Sequence, residues 1–113
     1  MKVLVGPNHF GLEQVIADLA GQYPDIEWSH CTDRERLGEA LADADVYFGW
    51  LNQEEFLAAK QLRWIQSPSS GVDYFCSIPE LCESDVLLTS ARGTHGACLA
   101  ESALAMILAF TRG

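Results

Sequence analysis

The sequence predicts an α/β protein in which parallel strands and helices alternate along one domain of 113 residues. Three observations lead to this fold class. Short apolar runs of strand length recur at regular intervals, and the segments between them carry apolar residues at helical spacing. Glycine and proline separate the two kinds of segment. Such alternation normally produces parallel strands joined by right-handed helical crossovers.

The first half of the chain contains three predicted strands. Residues 3–5 form a short apolar run, followed by a Gly-Pro pair, that predicts a buried first strand. Ile26 and Trp28 alternate with polar residues, which favours a half-covered edge strand. The apolar residues 46–48 predict the third strand.

Two helices are predicted between these strands. Apolar residues at helical spacing over 12–19 predict the first, which ends before Pro24. Thr32 and Glu35 have the spacing of a capping box, in which a hydroxyl and a carboxylate bind unpaired backbone amides. The helix that they open has one apolar face, formed by Leu37, Ala40, Leu41 and Ala44.

The second half continues the alternation. Residues 64–65 and 86–88 predict the fourth and fifth strands, and a final helix is predicted from about 100 to 111. Asn52 with Glu55 predicts the capped start of a short third helix. The count is therefore five strands and five helices.

A second capping-box pattern lies between the last two strands. It consists of Ser77 and Glu80, with Pro79 in the first helical turn, where its missing N–H costs little. The best match for five such units is a flavodoxin-like (βα)5 fold, a three-layer α/β/α sandwich with sheet order 2-1-3-4-5. Ligands bind such sheets at the carboxyl ends of the strands. The loops predicted there are 7–11, 49–52, 66–73 and 90–96.

Charge and cysteine content exclude several classes of function. The net charge of −9 disfavours nucleic acids and anionic membranes. No apolar run is long enough for a membrane helix or a signal-peptide core, which predicts a cytoplasmic protein. The four cysteines have no metal-binding spacing and are expected to be free thiols, so no metal site is predicted.

Common chemistries of this architecture lack their residues. The loop 6–11 has no hydroxyl cluster to bind a flavin phosphate, and residues 49–52 contain no phosphoacceptor carboxylate. A dinucleotide-binding G-x-G-x-x-G and a P-loop are both absent from the sequence.

Two stretches carry a resemblance to a known family. Residues 62–73, LRWIQSPSSGVD, contain an S-x-G-V-D loop, and residues 86–108 contain an Ala-Glu pair that opens a very apolar helix. In this order, the two stretches closely resemble the N-terminal part of the D-isomer-specific 2-hydroxyacid dehydrogenases. The resemblance implies a flavodoxin-like substrate domain. In that family, a hydride passes between NAD(P)H and a 2-oxo acid, in a cleft shared with a Rossmann-type cofactor domain.

The resemblance also implies a substrate-binding loop. Ser70, Gly71 and Val72 match the loop whose backbone amides hold the substrate carboxylate. A glycine lets the backbone turn and approach a ligand closely, and consecutive N–H groups can bind an anion. The alternative interpretation is an ordinary turn, with Asp73 capping the helix that follows.

Three further residues have two interpretations each. By the resemblance, His95 faces substrate and nicotinamide and Leu99 touches the nicotinamide end of the cofactor. Otherwise, His95 is a solvated loop residue and Leu99 a core contact. Arg92 is expected to pair either with an acidic substrate or with a neighbouring carboxylate.

The catalytic Arg, His and Glu of that family, and its glycine-rich turn, belong to the cofactor domain, beyond residue 113. The chain alone is therefore expected to be inactive, to contain no catalytic residue and to bind no NAD or NADP. Its expected partners are a small 2-oxo or 2-hydroxy acid, the missing cofactor domain and a second copy of the chain. The almost wholly apolar helix 100–112 predicts that last contact, unless the helix folds back on the sheet. A stand-alone binding module and a purely structural or engineered fragment are the alternative functions.

Overall fold

The computed structural model describes residues 1–8 and 11–112. It contains one sheet of five parallel strands in the order β2-β1-β3-β4-β5, which confirms the predicted flavodoxin-like α/β fold. The strands are β1 (Lys2–Val5), β2 (Glu27–His30), β3 (Val46–Phe48), β4 (Trp64–Ser67) and β5 (Leu87–Ser90).

Helices connect all the strands, but the alternation is less regular than the sequence predicts. The described helices are α1 (Glu13–Gln22), α2 (Leu37–Leu41), α3 (Gln53–Ala58), α4 (Asp73–Cys76), α5 (Pro79–Cys82) and α6 (Gly96–Arg112). Two short helices, α4 and α5, therefore join β4 to β5 where one was expected. A turn of 3-10 helix, Arg34–Arg36, precedes α2.

The hydrophobic core lies on one face of the sheet. Leu4, Tyr47 and Ile65 project from three neighbouring strands into this core, where they are almost completely buried. Its other fully or nearly fully buried side chains come from the helices and loops on that face, among them Leu37, Leu41, Leu51, Phe75, Ile78 and Leu81. This half of the molecule is thus tightly packed.

The opposite face of the sheet is only partly covered. Helix α1 packs there, and a cavity of about 400 Å³ lies between α1 and side chains such as Val5 and Phe48. Toward the other edge, Trp64 is 40% exposed and Leu87 58% exposed. No described helix shields these two side chains.

Helix α6 does not fold back on the sheet. It begins at Gly96, four residues before the predicted start, and all of residues 96–112 are exposed. The alternative in which α6 covers the sheet as the fifth helix of the sandwich is therefore wrong. Among the described residues, no helix is both long and apolar enough to cross a membrane.

One of the three predicted helix caps is confirmed. Asn52 accepts a hydrogen bond from the Glu55 amide at 2.9 Å, and the Glu55 carboxylate accepts one from the Asn52 amide at 2.6 Å. The capping box over Thr32 and Glu35 is wrong, because Asp33 accepts from the Glu35 amide at 3.0 Å. The intervening 3-10 turn moves the cap by one residue.

The cap over Ser77 and Glu80 is also wrong. Helix α5 follows Ile78, which has no side-chain cap, although Pro79 occupies the first turn as predicted. The hydroxyl of Ser77 instead donates to the Tyr74 carbonyl at 2.6 Å. That carbonyl belongs to the end of α4, where backbone acceptors lack helical partners. Helix α4, which the sequence did not predict, therefore binds the Ser77 hydroxyl that was expected to cap α5.

Candidate functional site

The candidate site lies at the carboxyl edge of the sheet, where the loops after β4 and β5 begin side by side. Ser67 and Ser90, the last residues of these strands, are register partners. The Ala91 amide donates to the Ser69 carbonyl at 3.0 Å, and the Ser70 hydroxyl reaches the Ala91 carbonyl at 3.5 Å. The two loops that the family resemblance points to are thus held together.

A buried hydroxyl sets the shape of the loop after β4. Ser67 is completely buried, and its Oγ accepts from the Ser69 amide at 3.1 Å. The Oγ also lies 3.4 Å from the Ser69 carbonyl oxygen. Such short-range side-chain bonds to the backbone favour turns over continued strand. The Ser-Pro-Ser-Ser sequence of residues 67–70 is the signal by which the sequence predicts a loop here.

The backbone amides of this loop are partly available to a ligand. The Gly71 amide donates to the Ser69 hydroxyl at 3.3 Å. Within the described chain, the amides of Ser70 and Val72 have no hydrogen-bond acceptor. Ser70 and Gly71 are exposed and Val72 is half-buried. Two N–H donors on either side of Gly71 are therefore free to bind an anion.

The glycine at position 71 has no unusual backbone conformation. Positive φ values occur at Gly11, Gly49 and Gly93 among the described residues, but not at Gly71. A Cβ atom at position 71 would lie 3.5 Å from a carboxylate oxygen of Asp73, which is an ordinary contact. Close approach by a ligand, rather than the turn itself, remains the predicted role of this glycine.

Asp73 does not cap the helix that follows the loop. It is the first residue of α4, and Val72 occupies the capping position without a side-chain hydrogen bond. The predicted cap by Asp73 is therefore wrong, and the alternative of an ordinary turn stays a prediction. A carboxylate in the first turn still favours the helix through its charge.

The loop after β5 turns at Gly93, whose φ is +91°. The hydroxyl of Thr94 lies 2.7 Å from the Ala91 carbonyl and 2.8 Å from Nδ1 of His95. The Ala91 carbonyl thus accepts from this loop as well as from Ser70. His95 is exposed, which places its ring in solvent at the sheet edge.

Arg92 and Leu99 are both exposed. Arg92 forms no ion pair within the described part of the chain, so its expected pairing with a neighbouring carboxylate is absent. Leu99 is 68% exposed in the first turns of α6 and is not a core residue. Arg92 directly follows Ala91, so its cation is attached to the same loop junction.

The residues that follow β1 and β3 meet around Tyr47. The backbone N–H groups of Gly6 and Gly49 donate to the next strand along the sheet, at the Phe48 and Gln66 carbonyls. The Tyr47 hydroxyl donates to the Trp50 carbonyl at 2.9 Å. Burial raises the pKa of the Tyr47 hydroxyl well above its usual value. His9 belongs to the predicted ligand-side loop 7–11 and lies outside the described residues.

The site is open rather than enclosed. Four cavities of the described structure have volumes of about 350 to 630 Å³, and none of them is lined by residues 68–73 or 90–99. No cluster of metal-ligating side chains occurs among the described residues. The arrangement offers amide donors, hydroxyls, one cation and one imidazole on a surface. It is chemically suited to hold a small anion.

The chain matches no model of a known protein family and no curated protein sequence. It is similar to the crystal structure of phosphoglycerate dehydrogenase from Lactobacillus plantarum, with 25% sequence identity and a TM-score of 0.59. The match covers 98% of this chain and 36% of that chain. The chain thus spans about a third of the structure it matches. The comparison relates it to part of a dehydrogenase.

Proposed function

We propose that this chain is the substrate domain of an NAD(P)-dependent D-2-hydroxyacid dehydrogenase. The observation that carries the proposal is the junction at Ala91, which holds the S-x-G-V-D loop against the loop containing His95. These are the two stretches that resemble the family. The similarity to part of a phosphoglycerate dehydrogenase supports the same assignment. All four cysteines are free thiols, which suits the cytoplasm, where we place the protein.

The residues of the junction would bind the carboxylate end of a 2-oxo or 2-hydroxy acid. The amides of Ser70 and Val72 supply neutral donors, and Arg92 supplies a positive charge that no described carboxylate neutralises. Hydrogen bonds from a charged donor to a carboxylate are stronger than neutral ones. His95 would face the rest of the substrate. In this role, the chain binds and orients substrate and leaves proton and hydride transfer to the cofactor domain.

The described residues 6–8 of the turn after β1 do not fit the phosphate part of a nicotinamide cofactor. The turn after β1 is the place for a dinucleotide-binding loop. Here, the Gly6 amide already donates to the Phe48 carbonyl, Pro7 has no N–H, and the Asn8 side chain donates to the Gly6 carbonyl. We propose that Leu99 contacts the cofactor, at its nicotinamide end. NAD or NADP would be held by a separate cofactor domain.

A direct assay tests the predicted inactivity. The purified chain is mixed with NADH or NADPH and glyoxylate, pyruvate or hydroxypyruvate, and absorbance is followed. We expect no oxidation above buffer, because the family resemblance assigns the acid/base residue and the cofactor loop to the cofactor domain. Saturable turnover by the pure chain would refute the division of roles proposed here.

Binding is tested separately by following backbone amide resonances during titration with 2-oxo acids. We expect shifts at residues 70–73 at millimolar ligand. Arg92→Gln should weaken these shifts, whereas the matched variant Arg112→Gln, at the far end of α6, should leave them unchanged. Absence of any shift at millimolar ligand would favour a purely structural fragment over the substrate domain.

A stand-alone binding module is the second candidate, because one face of the sheet has a complete core of its own. Titration with a series of small anions separates this candidate from the substrate domain. A substrate domain should prefer carboxylates with an oxygen at carbon 2, whereas a general anion-binding module should bind acetate or inorganic phosphate equally well.

A further inference from the structure

Cys76 and Cys82 meet on the surface, on the two short helices between β4 and β5. The thiol of Cys82 donates to the Cys76 carbonyl, with its Sγ 3.4 Å from that oxygen. Both residues are exposed, and both are free thiols. The thiol of Cys31 donates instead to the Asp33 carbonyl, and Cys98 lies on α6. All four cysteines are described by the structure, and this is the one hydrogen bond that joins two of them.

The two helices are anchored by their buried sides and carry the cysteines on their exposed sides. Phe75, Ile78 and Leu81 are 1–5% exposed and pack in the core. Helices α4 and α5 have four residues each, so each is a single turn with few helical hydrogen bonds to resist a small shift. A disulfide requires the two Cβ atoms to lie about 3.5–4.5 Å apart. Because the Cys82 sulfur already reaches the last residue of α4, a local approach of the two helices is enough.

Cys76 is connected to the candidate anion site through the backbone. Its amide donates to the Val72 carbonyl at 3.0 Å, and the Phe75 amide donates to the same oxygen at 2.9 Å. Val72 also carries one of the two loop amides that have no acceptor within the described chain. A movement of Cys76 toward Cys82 therefore changes the backbone angles at Val72, and with them the direction of its N–H.

We propose that Cys76 and Cys82 form a reversible disulfide when the chain meets a peroxide, and that this bond redirects the Val72 amide at the anion site. The effect on ligand binding rests on the proposed function, whereas the bond and the movement of Val72 do not. In the cytoplasm, where we place the protein, thiols stay reduced until an oxidant is present. Disulfides that form there are usually transient and serve catalysis or redox sensing.

Hydrogen peroxide balances this oxidation. The thiolate sulfur of one cysteine attacks a peroxide oxygen, the O–O bond breaks, and a sulfenic acid and hydroxide form. The second thiolate attacks the sulfenic sulfur, so the S–S bond forms, the S–O bond breaks and a second hydroxide leaves. The two thiol protons end in the two waters, and the two electrons that the cysteines lose pass to the peroxide. Dithiothreitol reverses the change by thiol–disulfide exchange.

Mass spectrometry of the dilute, peroxide-treated 113-residue chain tests the bond. A protease that cleaves after glutamate cuts at Glu80, between the two cysteines, so the resulting peptides stay joined only through a disulfide. We expect a joined pair without reductant and separate peptides after dithiothreitol. Cys76→Ser and Cys82→Ser should each abolish the joined pair. Cys98→Ser, a matched change at another exposed thiol, should leave it unchanged.

Backbone amide resonances of the reduced and the oxidised chain test the coupling to the loop. The Val72 resonance should shift on oxidation and return after dithiothreitol, and Cys76→Ser should show no such shift under the same treatment. Titration with pyruvate then compares the two forms, and loss of one neutral donor should weaken binding about fivefold. If neither form binds pyruvate, the proposed function fails, while the joined peptides and the Val72 shift still decide between a disulfide that moves the loop and none.

Three results would overturn the proposal. Sulfenic or sulfinic acids without a joined peptide pair, or bonds to Cys31 or Cys98 instead, show that Cys76 and Cys82 do not close. A disulfide that leaves the Val72 resonance unchanged shows that the bond does not reach the loop. Equal affinities of a pyruvate-binding reduced and oxidised chain show that oxidation does not act on the site.

Discussion

The hydroxyl of Tyr47 lies against Gly6, in the space that a Cβ atom at position 6 would occupy. Gly49, on the following loop, has the same relationship, with a Cβ position 2.6 Å from that hydroxyl oxygen. The Tyr47 ring is completely buried, and its hydroxyl donates to the Trp50 carbonyl at 2.9 Å. The ends of β1 and β3 are therefore packed around one tyrosine, and they require glycine on both sides of it.

Gly6→Ala should destabilise the protein by about 1–3 kcal/mol, because the added methyl group overpacks a rigid, buried ring. Gly21→Ala is the matched control, since a Cβ there meets nothing within 4 Å. In the helical position 21, alanine should increase the free energy of unfolding by about 0.5–1 kcal/mol. Urea denaturation measures both. Equal effects of the two changes would show that the space beside Tyr47 is not tightly filled.

Stability should fall in alkaline solution because of Tyr47. Burial raises the pKa of its hydroxyl above the ordinary value of 10.0. Below pH 10, the group is protonated in both states and contributes no pH dependence. Above it, the unfolded chain releases a proton that the folded chain retains, so the free energy of unfolding falls by up to about 1.4 kcal/mol per pH unit.

Tyr47→Phe isolates this effect. The variant should lose about 1 kcal/mol at neutral pH with the hydrogen bond to the Trp50 carbonyl. The stability difference from the wild type should then shrink as pH rises above 10, since the other titrating groups are common to both proteins. Denaturation curves at a series of pH values measure the difference. A constant difference up to about pH 11 would contradict a buried, protonated tyrosine.

Ser67→Ala should cost about 1–3 kcal/mol, because it leaves the Ser69 amide without its hydrogen-bond acceptor beside a fully buried position. It should also weaken any binding of 2-oxo acids, since Ser69 is the residue that joins the loop to Ala91. Ser77→Ala removes a hydroxyl that bonds to the Tyr74 carbonyl at an exposed position, and should cost much less. Similar losses for the two serines would argue against a structural role for the Ser67 turn.

The ion pair between Arg34 and Glu55 should be strongly coupled. Nη2 of Arg34 lies 2.7 Å from Oε2 of Glu55, whose side chain is 10% exposed. The same carboxylate accepts a hydrogen bond from the Asn52 amide. A double-mutant cycle with Arg34→Ala and Glu55→Ala should give an interaction energy of about 1–3 kcal/mol. The pair of Lys2 and Asp43 should give a smaller one in the same cycle, because the Asp43 side chain is 61% exposed and solvent screens it. A coupling for Arg34 and Glu55 no larger than this would mean that solvent screens the pair.

Much of this structure follows from local sequence patterns. The buried apolar runs and the capping box at Asn52 depend on spacing and side-chain type within a few residues, so they are predictable. The strand order was predicted from the alternation of five strand-helix units along the whole chain. The caps assigned to Thr32 and Ser77 fail because a neighbouring residue or an unforeseen short helix competes for the same hydrogen bond. Helix α4 itself is invisible as a pattern, since it is a single turn whose one buried side chain is Phe75.

For the candidate site too, the motifs are visible in the sequence, but the contacts between its loops are not. The motif around Ser70, Gly71 and Val72 is visible in the sequence, as are His95 and Leu99. Which amides remain free, and the bond from the Ala91 amide to the Ser69 carbonyl, depend on how two loops meet in space. A pattern of residues along the sequence does not specify that contact between the loops.

The sequence by itself determined that this chain is an α/β domain with five parallel strands, and which loops lie at its ligand-binding edge. Hydrophobic periodicity and turn residues are local properties of the sequence, so they can be read without knowing how distant segments pack. Only the tertiary structure decided that Tyr47 needs Gly6, that Ser67 shapes the loop, and that α6 is directed away from the sheet. These are contacts, present or missing, between segments far apart in the chain, and their energies depend on distance in space.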